Sequence, residues 1–136
     1  MSFAVDRIDH LVLTVRDLAA SLRFYQDVLG ARVVPPYLGQ GPTAIAFGRQ
    51  KINLHVKGQE FEPKAAHPTV GAGDFCLITE SPIEEIVGHL RGCGVVVELG
   101  PVPRIGALGP MTSVYFRDPD GNLVEVATYE EPAPAA

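Results

Sequence analysis

Four side chains in this sequence carry metal-ligand chemistry in settings where an ionisable group is out of place. His10 stands in Ile8-Asp9-His10-Leu11-Val12-Leu13-Thr14-Val15 and His55 in Ile52-Asn53-Leu54-His55-Val56. Asp74 opens Asp74-Phe75-Cys76-Leu77-Ile78-Thr79, and Glu125 interrupts Leu123-Val124-Glu125-Val126. Each run is rich in β-branched and aliphatic residues and has the length of a strand. Alternate side chains of a strand share a face, so His10 travels with Ile8 and Val12, and Glu125 with Leu123 and Ala127. An unpaired charge among such neighbours is costly. Two imidazoles and two carboxylates offer donors to a divalent first-row metal ion without selecting sharply among Zn, Ni, Mn, Co and Fe. An ion with open coordination positions acts as a Lewis acid on a bound oxygen.

The elements that must position these groups can be read along the chain. After the first strand, Ile8 to Val15, Asp17 caps a helix from Leu18 to Leu29. Its Leu18, Leu22, Tyr25 and Leu29 form one apolar stripe, and Gly30 ends it. Strands are expected over Ala31 to Pro35, Thr43 to Phe47 and Lys51 to Val56. The stretch from Lys57 to Gly73, punctuated by Gly and Pro, reads as a linker. Asp74 to Thr79 resumes a strand, Ser81-Pro82 provides a helix start, and Ile83 to Arg91 is amphipathic. A strand over Val95 to Leu99 is followed by a long Gly/Pro-rich loop from Gly100 to Pro110, whose Arg104 is a candidate contact for an anionic substrate group. Met111 to Arg117 then leads into a hairpin from Phe116 to Val126 around Asp118-Pro119-Asp120-Gly121. Tyr115 and Phe116 are expected in the core on opposite faces, His67 and His89 at the surface, and the tail from Glu130 frayed.

An internal repeat turns this inventory into an architecture. Moving 64 residues on takes Asp17 to Ser81, Leu13 to Leu77, Gly30 to Gly94 and Val33 to Val97. Toward the end of each half the offset grows to 70, laying Ile52-Asn53-Leu54-His55-Val56 over Asn122-Leu123-Val124-Glu125-Val126. Each half is therefore a strand, a helix and three more strands. In this alignment His10 lies over Asp74 and His55 over Glu125, so four candidate ligands fill two pairs of equivalent positions.

The composition narrows the partners. A chain of 136 residues suits one domain with its own core, with a first module over about 6–57, a linker over about 58–72 and a second module over about 73–128. A net charge of −5 with no basic run argues against nucleic acid or an anionic membrane surface and leaves a small-molecule substrate. No apolar run approaches the roughly 20 residues of a spanning helix, and the N-terminus lacks a secretory pattern. Cys76 and Cys93 have no paired spacing and read as buried free thiols in a reducing cytoplasm.

The pattern resembles the vicinal oxygen chelate superfamily, which holds glyoxalase I, extradiol dioxygenases, fosfomycin-resistance proteins and bleomycin-resistance proteins. The resemblance rests on Ile8-Asp9-His10, Tyr25, Val28-Leu29-Gly30 and the run from Phe116 to Glu125. It is closest to small glyoxalase-domain proteins through Lys51-Ile52-Asn53-Leu54-His55 and Gly73-Asp74-Phe75-Cys76. It implies an α+β fold of two tandem βαβββ modules forming a curled mixed sheet around a central metal-binding cavity, in many members completed across a homodimer. It also implies that His10 and Glu125 occupy the first-strand and last-strand ligand positions. In glyoxalase I a glutamate aligns nearer Asn53 than His55, and Asp74 replaces a histidine. The leading expectation is a divalent-metal-dependent, glyoxalase-like lyase or isomerase with metal ligands His10, His55, Asp74 and Glu125 and with Glu125 as base. An iron-dependent ring-cleaving dioxygenase using His10, His55 and Glu125 is the first alternative. A non-enzymatic, drug- or metabolite-sequestering protein is the second.

Overall fold

The protein is described by a computed structural model over residues 2–130. The part of the expected frayed tail beyond Glu130 lies outside the described residues. The chain divides into two compact units, Met1–Val70 and Gly71–Ala136. The fold is α+β, with two tandem modules of the same βαβββ order.

In the first unit the order is β1 (His10–Val15), α1 (Leu18–Leu29), β2 (Arg32–Val34), β3 (Thr43–Phe47) and β4 (Gln50–Val56). The sheet runs β1-β4-β3-β2, with β1 parallel to β4 and the remaining pairs antiparallel. Helix α1 starts where expected because the Asp17 side chain accepts a hydrogen bond from the Ala20 N–H at 3.1 Å. It stops because Gly30 takes φ 69°, so that its own N–H and that of Ala31 reach back to Gln26 and Tyr25 carbonyls. The helix buries Ser21, Tyr25 and Val28. Leu13, Val15, Ile45, Ile52 and Leu54, all on one face of the sheet by register, complete the core. Each such aliphatic side chain contributes about 1.5–3 kcal/mol by leaving water.

The second unit repeats the order with β5 (Asp74–Ile78), α2 (Ile83–Gly92), β6 (Leu99–Gly106), β7 (Gly109–Arg117) and β8 (Leu123–Tyr129), in a sheet β5-β8-β7-β6. Val114, Phe116, Val124 and Val126 are buried on one face, and Leu90 of α2 is buried with them. The β7–β8 hairpin forms as its turn residues suggested, with Arg117 opposite Leu123.

Three local expectations are corrected. The Gly/Pro-rich segment after Leu99 is an eight-residue edge strand, β6, not a loop, while residues 95–98 lie outside it. An edge strand needs only half its backbone donors, which is why Pro101 and Pro103 are tolerated there. Helix α2 has Pro82 at its N-cap position with no side-chain cap bond, so Ser81 does not mirror Asp17. Both cysteines are free, but both are exposed. Among the described residues no helix is long and apolar enough to cross a membrane.

Candidate functional site

Register assigns each side chain to a face. Residues directly opposite one another in a ladder point the same way. In the first unit His10 pairs with Lys51, Val12 with Asn53 and Thr14 with His55. His10, Asn53 and His55 therefore share the polar face, opposite the face that forms the core. His10 is exposed, and its Nδ1 lies 2.8 Å from Asp9 Oδ2, which leaves Nε2 as the ring nitrogen available to a ligand. The hydrogen-bonded His10 ring is the main influence that holds the Asp9 carboxyl below its usual range. His55 is buried and meets the Phe61 ring edge-on at 5.7 Å. His10 and His55 stand four residues apart along adjacent strands, roughly 13 Å. To share one ion at about 2.1 Å each, both imidazoles would have to lie fully extended toward one another along the sheet.

In the second unit Asp74 pairs with Leu123 and Cys76 with Glu125 on one side, and Tyr115 pairs with Glu125 on the other. Cys76, Glu125 and Tyr115 form a lateral row across β5, β8 and β7, and Asp74 lies one step along the same face. The hairpin turn holds this row in place. Asp118, almost fully buried, accepts hydrogen bonds from the Asp120 and Asn122 N–H groups and from Asn122 Nδ2, while Asn122 Oδ1 accepts from the Gly73 N–H at 2.7 Å. The last contact ties the turn directly to the start of β5, one residue before Asp74.

Glu125 is half-buried, and its Oε2 is shielded from solvent without a hydrogen-bond partner. Ser113, on the same face and opposite Ala127, is fully buried with its Oγ likewise unpartnered. A carboxylate oxygen and a hydroxyl left in this state cost about 1–3 kcal/mol each unless a ligand completes them. The Glu125 oxygen has the charge and donor chemistry that suit a divalent cation. Although Cys76 is exposed as a residue, desolvation at the sheet face and then the neighbouring Glu125 carboxylate push its thiol up to about 12.

Arg104 lies on β6 rather than in a loop. Its Nε donates to the Tyr115 hydroxyl at 2.8 Å, and its guanidinium stands 5.3 Å from the Tyr115 ring centroid. Tyr115 was expected in the core. It is instead half-buried on the polar face beside Glu125, whereas Phe116 is fully buried on the opposite face as expected. His67 and His89 are exposed. Among the described residues of either unit no three His, Cys, Asp or Glu side chains converge on one point.

The register also moves one equivalence between the halves. With β1 laid over β5, Lys51 falls on Leu123 and Asn53 on Glu125, an offset of 72 rather than 70. The residue that occupies the place of Glu125 in the first unit is Asn53, not His55. Asn53 Oδ1 shares the condition of Glu125 Oε2, being shielded from solvent without a partner. The internal repeat laid His55 over Glu125 because apolar alternation fits either offset equally well, whereas the family resemblance already pointed nearer Asn53; Tyr115 was read as core because an aromatic in an apolar run carries no sign of which face it takes.

Residues 7–126 match the model of the Glyoxalase/Bleomycin resistance protein/Dioxygenase superfamily. The chain is 50% identical over 125 residues to "Virulence protein STM3117" of Salmonella typhimurium, covering 92% of this chain and 85% of that one. The crystal structure of that protein covers 93% of this chain and 99% of its own, with a TM-score of 0.90. "Glyoxalase domain-containing protein RDO1" of Mycosarcoma maydis is 47% identical over 128 residues, covering 94% of this chain and 71% of its own. The crystal structure of a lactoylglutathione lyase from Agrobacterium tumefaciens is 30% identical with a TM-score of 0.70, covering 92% of this chain and 95% of its own.

Proposed function

Since the chain belongs to the glyoxalase/bleomycin resistance/dioxygenase superfamily, we propose that it is a divalent-metal-dependent lyase or isomerase acting on a small substrate with vicinal oxygens. The observation that carries this reading is the unpartnered, solvent-shielded Oε2 of Glu125 in a row with Cys76 and Tyr115. His10 through Nε2 and Glu125 through its carboxylate are the ligands, and Asp74, one step from Glu125 along the same face, is a further donor. His55 stands four residues along the sheet from His10 and lies against Phe61, so in this reading it closes the face instead of joining His10 on the ion.

A bound divalent ion supplies Lewis-acid stabilisation of negative charge on two neighbouring substrate oxygens. The protein's own groups do the rest. Glu125 takes a proton from one substrate carbon and returns it to the next. The Tyr115 oxygen accepts from Arg104, which leaves the phenolic hydrogen free to donate to a substrate oxygen as charge develops there. Arg104 attracts an anionic substrate group to the same end of the face. Likeness to a lactoylglutathione lyase supports the reaction class, and a cytoplasmic homodimer is the setting proposed.

The test is turnover by the zinc, nickel, cobalt and manganese forms of the hemithioacetal of methylglyoxal and glutathione, together with a panel of 2-oxo compounds. Silence across all four metals rejects the reading. The ring-cleaving alternative requires two histidines and a carboxylate on one iron, and the separation of His10 from His55 counts against it. Iron-dependent oxygen uptake with catechols would restore it. A purified protein that neither contains nor takes up metal would favour sequestration.

A further inference from the structure

The polar face of the first unit contains a group that the proposed chemistry leaves unused. Asn53 sits in the middle of β4, with Val12 opposite it on β1 and Ala44 opposite it on β3. Neither neighbour can donate a hydrogen bond. Asn53 Oδ1 is shielded from solvent and has no partner among the described residues. Folded proteins seldom retain such an oxygen without a use for it. An apolar residue of the same size would fit between Val12 and Ala44 at no electrostatic cost.

Register gives the oxygen a meaning. Asn53 occupies in the first unit the position that Glu125 occupies in the second, and in both the outward oxygen is unsatisfied. The charge differs. A carboxylate suits a cation or a proton to be moved, whereas a neutral amide oxygen holds a cation more weakly and is well matched to a donor such as a hydroxyl. We propose that Asn53 Oδ1 receives a hydroxyl hydrogen of the bound small molecule, so that the protein prefers ligands carrying a hydroxyl beside their second oxygen, as 2-hydroxy acids do, over ligands whose oxygens are both anionic acceptors. This inference rests on the metal-dependent reading above.

The test uses the manganese-loaded protein with glycolate, which has a hydroxyl and a carboxylate, and oxalate, which has two carboxylates. Asn53→Leu removes the polar group while nearly preserving volume. The metal-free variant is expected to melt several degrees higher than the parent, because an unsatisfied oxygen has gone. Its glycolate affinity is expected to fall about tenfold while oxalate affinity stays within about twofold. Asn53→Asp, which keeps an acceptor but adds charge, is expected to retain glycolate better than oxalate, and it serves as the second variant if Asn53→Leu folds poorly. Equal changes for the two ligands or no change for either, read in Asn53→Leu or, where that variant folds poorly, in Asn53→Asp, would overturn the assignment. A parent protein that binds no manganese would instead overturn the metal reading and this inference with it. A parent that binds manganese and glycolate, with variants that fail to discriminate, would overturn the inference alone.

Discussion

The two units share an element order and a sheet order, yet they load the same positions with different chemistry. In the first unit the polar face carries imidazoles and an amide, at His10, Asn53 and His55. In the second it carries carboxylates, a thiol and a phenol held by a guanidinium, at Asp74, Glu125, Cys76 and Tyr115 with Arg104. The opposite faces are alike, both lined with aliphatic and aromatic side chains that pack a helix. The repeat is therefore maintained on the face where packing demands it and released on the polar face. The comparison teaches that the polar faces differ in donor type, with imidazole and amide groups in one half and carboxylate, thiol and phenol groups in the other.

The largest expected effects break the comparison at the ligands. His10→Ala and Glu125→Ala, one from each unit, should each weaken metal binding by more than about a hundredfold, beyond the loss typical of residues that only support a ligand. Isothermal titration with manganese or zinc measures this, and unchanged metal content in both variants would remove the site assignment. Next come the cores. Tyr25→Ala in the first unit and Phe116→Ala in the second remove fully buried rings, and each should cost about 3–5 kcal/mol in chemical denaturation. If each lowers the unfolding midpoint of its own unit only, the two fold independently.

A smaller effect tests a device that sets the halves apart. Asp118→Ala leaves the Asp120 and Asn122 N–H groups and Asn122 Nδ2 without their acceptor, at a cost of about 1–3 kcal/mol confined to the second unit. The helix starts sharpen the contrast further. Asp17→Ala should cost about 1 kcal/mol because it removes a cap bond, whereas Ser81→Ala should stay within about 0.5 kcal/mol because α2 has no side-chain cap. Thermal melts of the two variants decide this, and equal losses would mean that Ser81 contributes in another way.

A pH dependence tests the polar face of the second unit. The Cys76 thiol is pushed up to about 12 from an ordinary 9.0 by desolvation and by Glu125. A raised value in the folded state means that the contribution is fully present below pH 9 and is lost as pH rises toward 12. At neutral pH the same shift leaves a roughly thousandfold smaller thiolate fraction than an ordinary thiol has. Cys76 should accordingly react slowly with a disulfide reagent, and Glu125→Gln should speed that reaction. A rate equal to that of an unhindered cysteine would show that Glu125 does not act on the thiol.

Much of the fold was legible in the chain. Helix α1 matched its expected bounds because the Asp17 cap, the apolar stripe and Gly30 all specify the same segment. Strand β3 matched for a similar reason, being an apolar run between turn residues. Strand β6 was misread because proline content is a local signal, while tolerance of proline depends on whether a neighbouring strand needs the missing donor.

For the candidate site, the sequence by itself determined the chemistry available: which residues can ligate, that His10 and Glu125 lie on strands, and that two similar halves carry them. These follow from side-chain type and from periodicity, which are properties of the chain alone. Only the tertiary structure decided which of these groups are neighbours. The offset of 72 between the last strands, the pairing of Cys76 and Tyr115 with Glu125, and the place of Asn53 opposite Val12 all depend on ladder register. Register is set by hydrogen bonds between strands distant in sequence, and a shift of two residues leaves every apolar side chain on the same face, so alternation alone cannot fix it.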